Sequence, residues 1–137
     1  MSTGDAELMR ARLHVRAGHR RLRQGKAGTG ISVMYDAFLA SLRWYAASPE
    51  RLAWLGLPEG DGYDYERRVY DALARAGLTE GGPDFGSFEE LSERALEKDL
   101  AGLDYQPTII QLEHFLTNIG VMPFDEDSLP PEAPDAP

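Results

Sequence analysis

The chain has 137 residues, 42% of them hydrophobic, no cysteine and a net charge of −9. That length suffices for one domain with its own core, and the missing cysteines exclude disulfides, thiolate metal sites and a cysteine nucleophile. No segment approaches the ~18 consecutive apolar residues of a membrane helix. The opening MSTGDAELMR lacks the apolar core of a signal peptide, so a cytoplasmic protein away from membranes is expected.

Almost every segment carries helical periodicity, and none alternates as a half-buried strand does. The first helix is expected over about residues 6–23, where Leu8, Ala11, Val15, Gly18 and Leu22 draw a narrow apolar stripe. At 100° per residue, Arg12, Arg16, Arg20 and Arg23 form a basic stripe on the same helix, and no acid occurs between Leu8 and Tyr35. Like charges four apart each cost ~0.2–0.5 kcal/mol, so the stripe is expected to face something anionic.

HRRLRQGKAGTGIS then raises the question of a phosphate loop, because basic side chains and glycines precede a helix. A P-loop of the Walker type is excluded: position 20 is Arg, position 27 is Ala, and no strand precedes. A looser anion site with Arg23 and Lys26 stays open beside the plainer reading as a helix-to-helix turn, which is favoured.

The second helix, about 30–47, is apolar over most of its circumference through Ile31, Met34, Tyr35, Phe38, Leu39, Leu42 and Tyr45, and is expected at the centre of a bundle. Ser48-Pro49-Glu50 starts a short third helix. Asp64 is expected to cap a fourth that ends at Gly77, and Ser87 with Glu90 to form a capping box for a fifth running to about Ala101. Pro107 opens a sixth that stops at Gly120. Residues 121–137, VMPFDEDSLPPEAPDAP, hold five prolines, five acids and no base, and are expected as a disordered acidic tail after a 1–120 helical domain.

The charge is split along the chain, +5 over residues 1–56 and −14 over residues 57–137. An acidic protein repels nucleic acid at long range, so any such contact must come from a local patch. Twelve of the 14 basic residues are arginine, which suits bidentate contacts to carboxylates or phosphates, although the codon bias of a GC-rich bacterial genome is the favoured explanation. The favoured reading of the arginine stripe is plain solvation or neutralisation by the chain's own acidic half, within the monomer or across a dimer, with the ladder Glu89, Glu93 and Glu97 as the specific candidate. A protein partner and nucleic acid follow in that order.

No catalytic constellation stands out. His14 and His19 lie on the arginine-rich helix, His114 sits beside Glu113, no Glu-x-x-His pair supports a di-metal bundle, and no G-x-S-x-G element occurs. The acids of EGDGYDYE lack calcium-loop spacing. No metal and no cofactor are expected.

Residues 11–48, with a charged helix, the Gln24-Gly25 turn and then ISVMYDAFLASLRWYA, resemble the first two helices of the HEPN family of small helical bundles. Ribonuclease members carry Arg, four to six residues, then His near the end of the bundle. Arg12 and His19 have that spacing but on the first helix, and His114 has no matching Arg upstream. The resemblance therefore implies a non-catalytic member that binds a nucleotide, RNA or a protein. The same hairpin is similar to a tetratricopeptide unit at Gly25, Ile31 and Ala37, and departs from it at Gly30 and Met34.

The sequence thus points to an all-α bundle of five or six helices. Its expected role is a non-enzymatic interaction module, with a homodimer among its forms. The alternative is nucleic-acid or nucleotide binding through Arg12, Arg16, Arg20, Arg23 and Lys26.

Overall fold

The computed structural model describes residues 2–100, 102–134 and 136, and among these the regular structure is entirely helical. Six α-helices follow in order: α1 Thr3–Arg23, α2 Ala27–Ala46, α3 Pro49–Leu55, α4 Tyr63–Arg75, α5 Phe85–Leu96 and α6 Gln106–Ile119. A single 3-10 turn, Glu126–Ser128, interrupts the segment after α6.

Local chemistry explains the boundaries. Helix α1 starts earlier than its apolar stripe because Ser2 and Asp5 form a reciprocal capping box, with Asp in the place usually held by Glu or Gln. It ends in a Schellman turn: Gly25 takes φ +78, its N–H returns to Leu22 O, and the Lys26 N–H returns to Arg21 O. A side chain at Gly25 would be strained in that conformation. The glycine that looked like part of a phosphate loop is thus the residue that lets the chain reverse into α2.

The Ser48 hydroxyl caps α3 through the Arg51 N–H, as the Ser-Pro-Glu signature predicts. Two expected caps are corrected. Asp64 lies inside the first turn of α4, whose N-cap is Gly62. Asp84 caps α5 by accepting from the Ser87 N–H at 2.9 Å, which moves the start three residues toward the N-terminus and brings Phe85 into the helix. Helix α5 also stops earlier than expected, at Leu96, followed by Lys98 in the left-handed region. Ala101, its expected end, lies outside the described residues, as do Met1, Asp135 and Pro137.

The core sits around α2, which packs against each of the other five helices. Phe38 is fully buried at its middle, and its ring meets those of Tyr35, Tyr70, Phe85, Phe88 and Phe115 at centroid distances of 5.1–6.2 Å. Several are edge-on or tilted contacts of the kind worth ~0.5–1.5 kcal/mol beyond burial. Helix α1 lies closely on α2 because glycines meet large side chains. A Cβ on Gly30 would fall 2.7 Å from Leu22 Cδ2, and one on Gly18 would fall 2.8 Å from Met34.

The segment expected as a disordered tail is, over its described part, laid back along the bundle. Val121 is fully buried, Leu129 is 8% exposed, and Phe124 packs against the core. Composition alone misses this, because three apolar anchors in an irregular strap leave no periodic trace. We refer to residues 121–134 as the strap.

Candidate interaction surface on the first helix

The arginine stripe is where the strap lands. Arg12 Nε donates to Val121 O at 3.0 Å, and its guanidinium lies 5.6 Å from the centre of the Phe124 ring. One turn on, Arg16 Nη2 donates to Pro130 O at 2.7 Å. A further turn on, Arg20 Nη1 donates to Glu132, whose Oε1 also lies 3.2 Å from Arg16 Nε. That Arg16 nitrogen is buried and lies off the axis of a hydrogen bond to Glu132.

The helical spacing of i, i+4, i+8 thus presents three guanidinium groups in a row, and an extended peptide crosses them. Among the described residues it offers two backbone carbonyls and one carboxylate. The neighbouring edge of this surface comes from α6: His19 Nε2 lies 2.6 Å from Glu113 Oε1. Part of the stripe thus meets acceptors of the same chain: Glu132 lies against Arg16 and Arg20, Arg12 meets a neutral carbonyl, and Arg23 stays exposed.

The acids are not the expected ones. Helix α5, which carries the Glu89, Glu93 and Glu97 ladder, packs on α2, and Glu93 and Glu97 are exposed. Glu132 meets Arg16 and Arg20 instead.

The five basic candidates do not form one site. Arg12, Arg16 and Arg20 are half-buried beneath the strap, whereas Arg23 and Lys26 are exposed at the α1–α2 turn. Lys26 lines a separate cleft of about 480 Å3 with Arg21, Thr29, Ser32, Leu96 and Lys98. The first turn of α2 opens on this cleft with neither a side-chain cap nor an acid. One carbonyl near the end of α5 stands close to it, since a Cβ on Gly28 would lie 3.2 Å from Ala95 O.

A second polar cluster was not visible in the sequence. Arg43 of α2 bridges Glu7 of α1 at 3.3 Å and Glu66 of α4 at 2.9 Å, beside a cavity of about 210 Å3 floored by Leu42 and Val69. Desolvation opposes the Arg43 charge, but hydrogen bonds and attraction from Glu66 and Glu7 outweigh it and raise its pKa. Glu66 is 7% exposed, so this triad keeps a buried carboxylate paired where α1, α2 and α4 meet. Only its long-range partnering marks it, and no spacing in the sequence could.

The histidines are separated. His19 faces Glu113, His14 is half-buried, and His114 packs by Gly81 on the surface. Burial pushes the His14 pKa below its ordinary value, Arg10, Arg43 and Arg21 push the same way, and Asp36 opposes them. Among the described residues no group of three or more His, Asp or Glu is placed to hold a metal ion, and no helix is long and apolar enough to cross a membrane.

The chain matches no protein-family model, no curated protein and no solved structure.

Proposed function

We propose that the chain is a non-enzymatic interaction module whose working surface is the arginine face of α1, with self-association into a homodimer among its forms. One observation carries this reading: Arg12, Arg16 and Arg20 engage a peptide segment through two backbone carbonyls and one carboxylate. That is the chemistry of protein recognition, in which arginine forks read planar acceptors. The resemblance of residues 11–48 to non-catalytic HEPN bundles agrees with a binding role.

The test is charge reversal. An Arg16→Glu, Arg20→Glu variant should change the sedimentation behaviour of the chain over a concentration series, while oligonucleotides bind neither form.

A second reading, nucleic-acid or nucleotide binding, is favoured by the exposed Arg23 and Lys26 beside the uncapped start of α2. It predicts binding of short RNA or DNA that weakens steeply with salt and is lost in Arg23→Glu, Lys26→Glu. That result, with sedimentation unchanged by reversal at Arg16 and Arg20, would overturn the first reading.

A further inference from the structure

We infer that the α1 arginine face is a docking surface for an extended, acidic, proline-containing peptide of a partner protein, and that the strap is a displaceable occupant of it in cis. This rests on the reading of α1 as an interaction surface and names what that surface takes.

The occupant defines the ligand. Along the strap run an aromatic ring at Phe124 for Arg12, an apolar anchor at Leu129, a proline carbonyl at Pro130 for Arg16, and a carboxylate at Glu132 for Arg16 and Arg20. Apart from the single 3-10 turn the strap is irregular, so the reading is done by side chains of α1 on carbonyls and a carboxylate of an extended chain.

Several features favour a peptide over a polyphosphate. Two of the three arginines donate to backbone carbonyls, which are neutral acceptors. A buried aliphatic side chain, Leu129, fixes the register, and a phosphodiester backbone has no equivalent of it. Glu113 stands at the edge of the face next to His19 and repels phosphate.

The cis occupant also fits incompletely. Among the described residues Arg16 Nε is buried 3.2 Å from Glu132 without a hydrogen bond, and Glu132 lies against both Arg16 and Arg20. A partner peptide with a second acid in this position would supply the missing acceptor. Because the strap occupies the face, the apparent affinity for a peptide in trans is the intrinsic affinity scaled by the open fraction. Loosening the strap therefore tightens the partner.

The probe is a fluorescent synthetic peptide of residues 121–134, VMPFDEDSLPPEAP, followed by anisotropy against the full-length chain. Glu132→Ala in the chain should tighten peptide binding by about tenfold, the weight of one carboxylate held by two guanidinium groups. Leu129→Ala should act in the same direction, and adding Arg16→Glu to either should abolish binding. A peptide that itself carries Glu132→Ala should bind more weakly to every form.

Equal peptide affinity for wild type and both strap variants, lost on Arg16→Glu, would overturn the displaceable strap while leaving α1 an interaction surface. A 12-nucleotide oligo-dT that binds Glu132→Ala where the peptide does not would overturn the peptide assignment in favour of nucleic acid. If neither probe binds any form and Arg16→Glu, Arg20→Glu leaves sedimentation unchanged, the underlying reading of the surface fails as well.

Discussion

The loop between α4 and α5 is tied to the core by one side chain, and Tyr70→Phe isolates that tie. The Tyr70 hydroxyl donates to Pro83 O at 2.5 Å, both residues are buried, and the ring packs edge-on against Phe38 and Phe115 at 5.1 Å. Removing only the oxygen leaves those ring contacts in place. What changes is the Pro83 carbonyl, which loses its donor in a dry place, and an orphaned buried acceptor costs about 1–3 kcal/mol.

For a domain of this size that loss lowers the urea midpoint by about 1–2 M and the melting temperature by ~3–10 °C. Tyr65→Phe is the control. Its hydroxyl donates to Pro58 O at 2.7 Å, but Pro58 is exposed and its carbonyl can turn to water, so the loss should stay under about 0.5 kcal/mol. Urea melts followed by circular dichroism decide the matter. A Tyr70→Phe midpoint within about 0.2 M of wild type, or equal losses in both variants, would refute the argument that acceptor burial sets the cost. Burial also pushes the Tyr70 and Tyr35 ionisations well above the ordinary tyrosine range, and an alkaline absorbance titration should show one fewer late-titrating tyrosine in Tyr70→Phe.

Gly30→Ala should destabilise by about 1–3 kcal/mol in thermal melts, because overpacking against Leu22 outweighs the ~1 kcal/mol gained in helix propensity. Asp84→Ala should cost about 1 kcal/mol as the α5 cap is lost. Hydrogen bonds from the Ser87 N–H and hydroxyl hold the Asp84 carboxyl below its ordinary value, so its contribution is present at neutral pH and fades on acidification through the folded pKa. His14 has a folded pKa below its unfolded one, so the unfolded chain binds the extra proton. Its contribution is full above about pH 6.5 and is lost as pH falls toward the folded value. Denaturant midpoints of wild type and His14→Gln should therefore diverge on the acid side and run parallel above neutrality.

Much of the bundle was legible because its signals are local and periodic. The wide apolar face of α2 marked the hub, and the arginine stripe could be drawn from 100° steps alone. The corrections share one cause, which is that several residues could make the same local bond and tertiary packing chose among them. Ser87 could cap its own helix, yet Asp84 does so because Phe85 is then carried into the core beside Phe38. Glu89, Glu93 and Glu97 had the right charge and spacing to answer the arginines, but α5 is committed to α2. Glu132 answers instead, from a segment whose prolines and acids read as disorder. The Arg43 triad joins residues 7, 43 and 66, and nothing short of the fold brings these together.

The dependence of every helix on α2 also bears on how the molecule breathes. A repeat array can lose a terminal unit and keep the rest, since each unit leans on its neighbour. Here the outer helices lean on one shared rod, and undocking α4, α5 or α6 bares part of the Phe38 cluster. Exchange of buried amides in α2 should therefore require nearly global opening, whereas the strap can lift in a local event that leaves the rod covered. The molecule thus has a slow interior clock and a fast outer one.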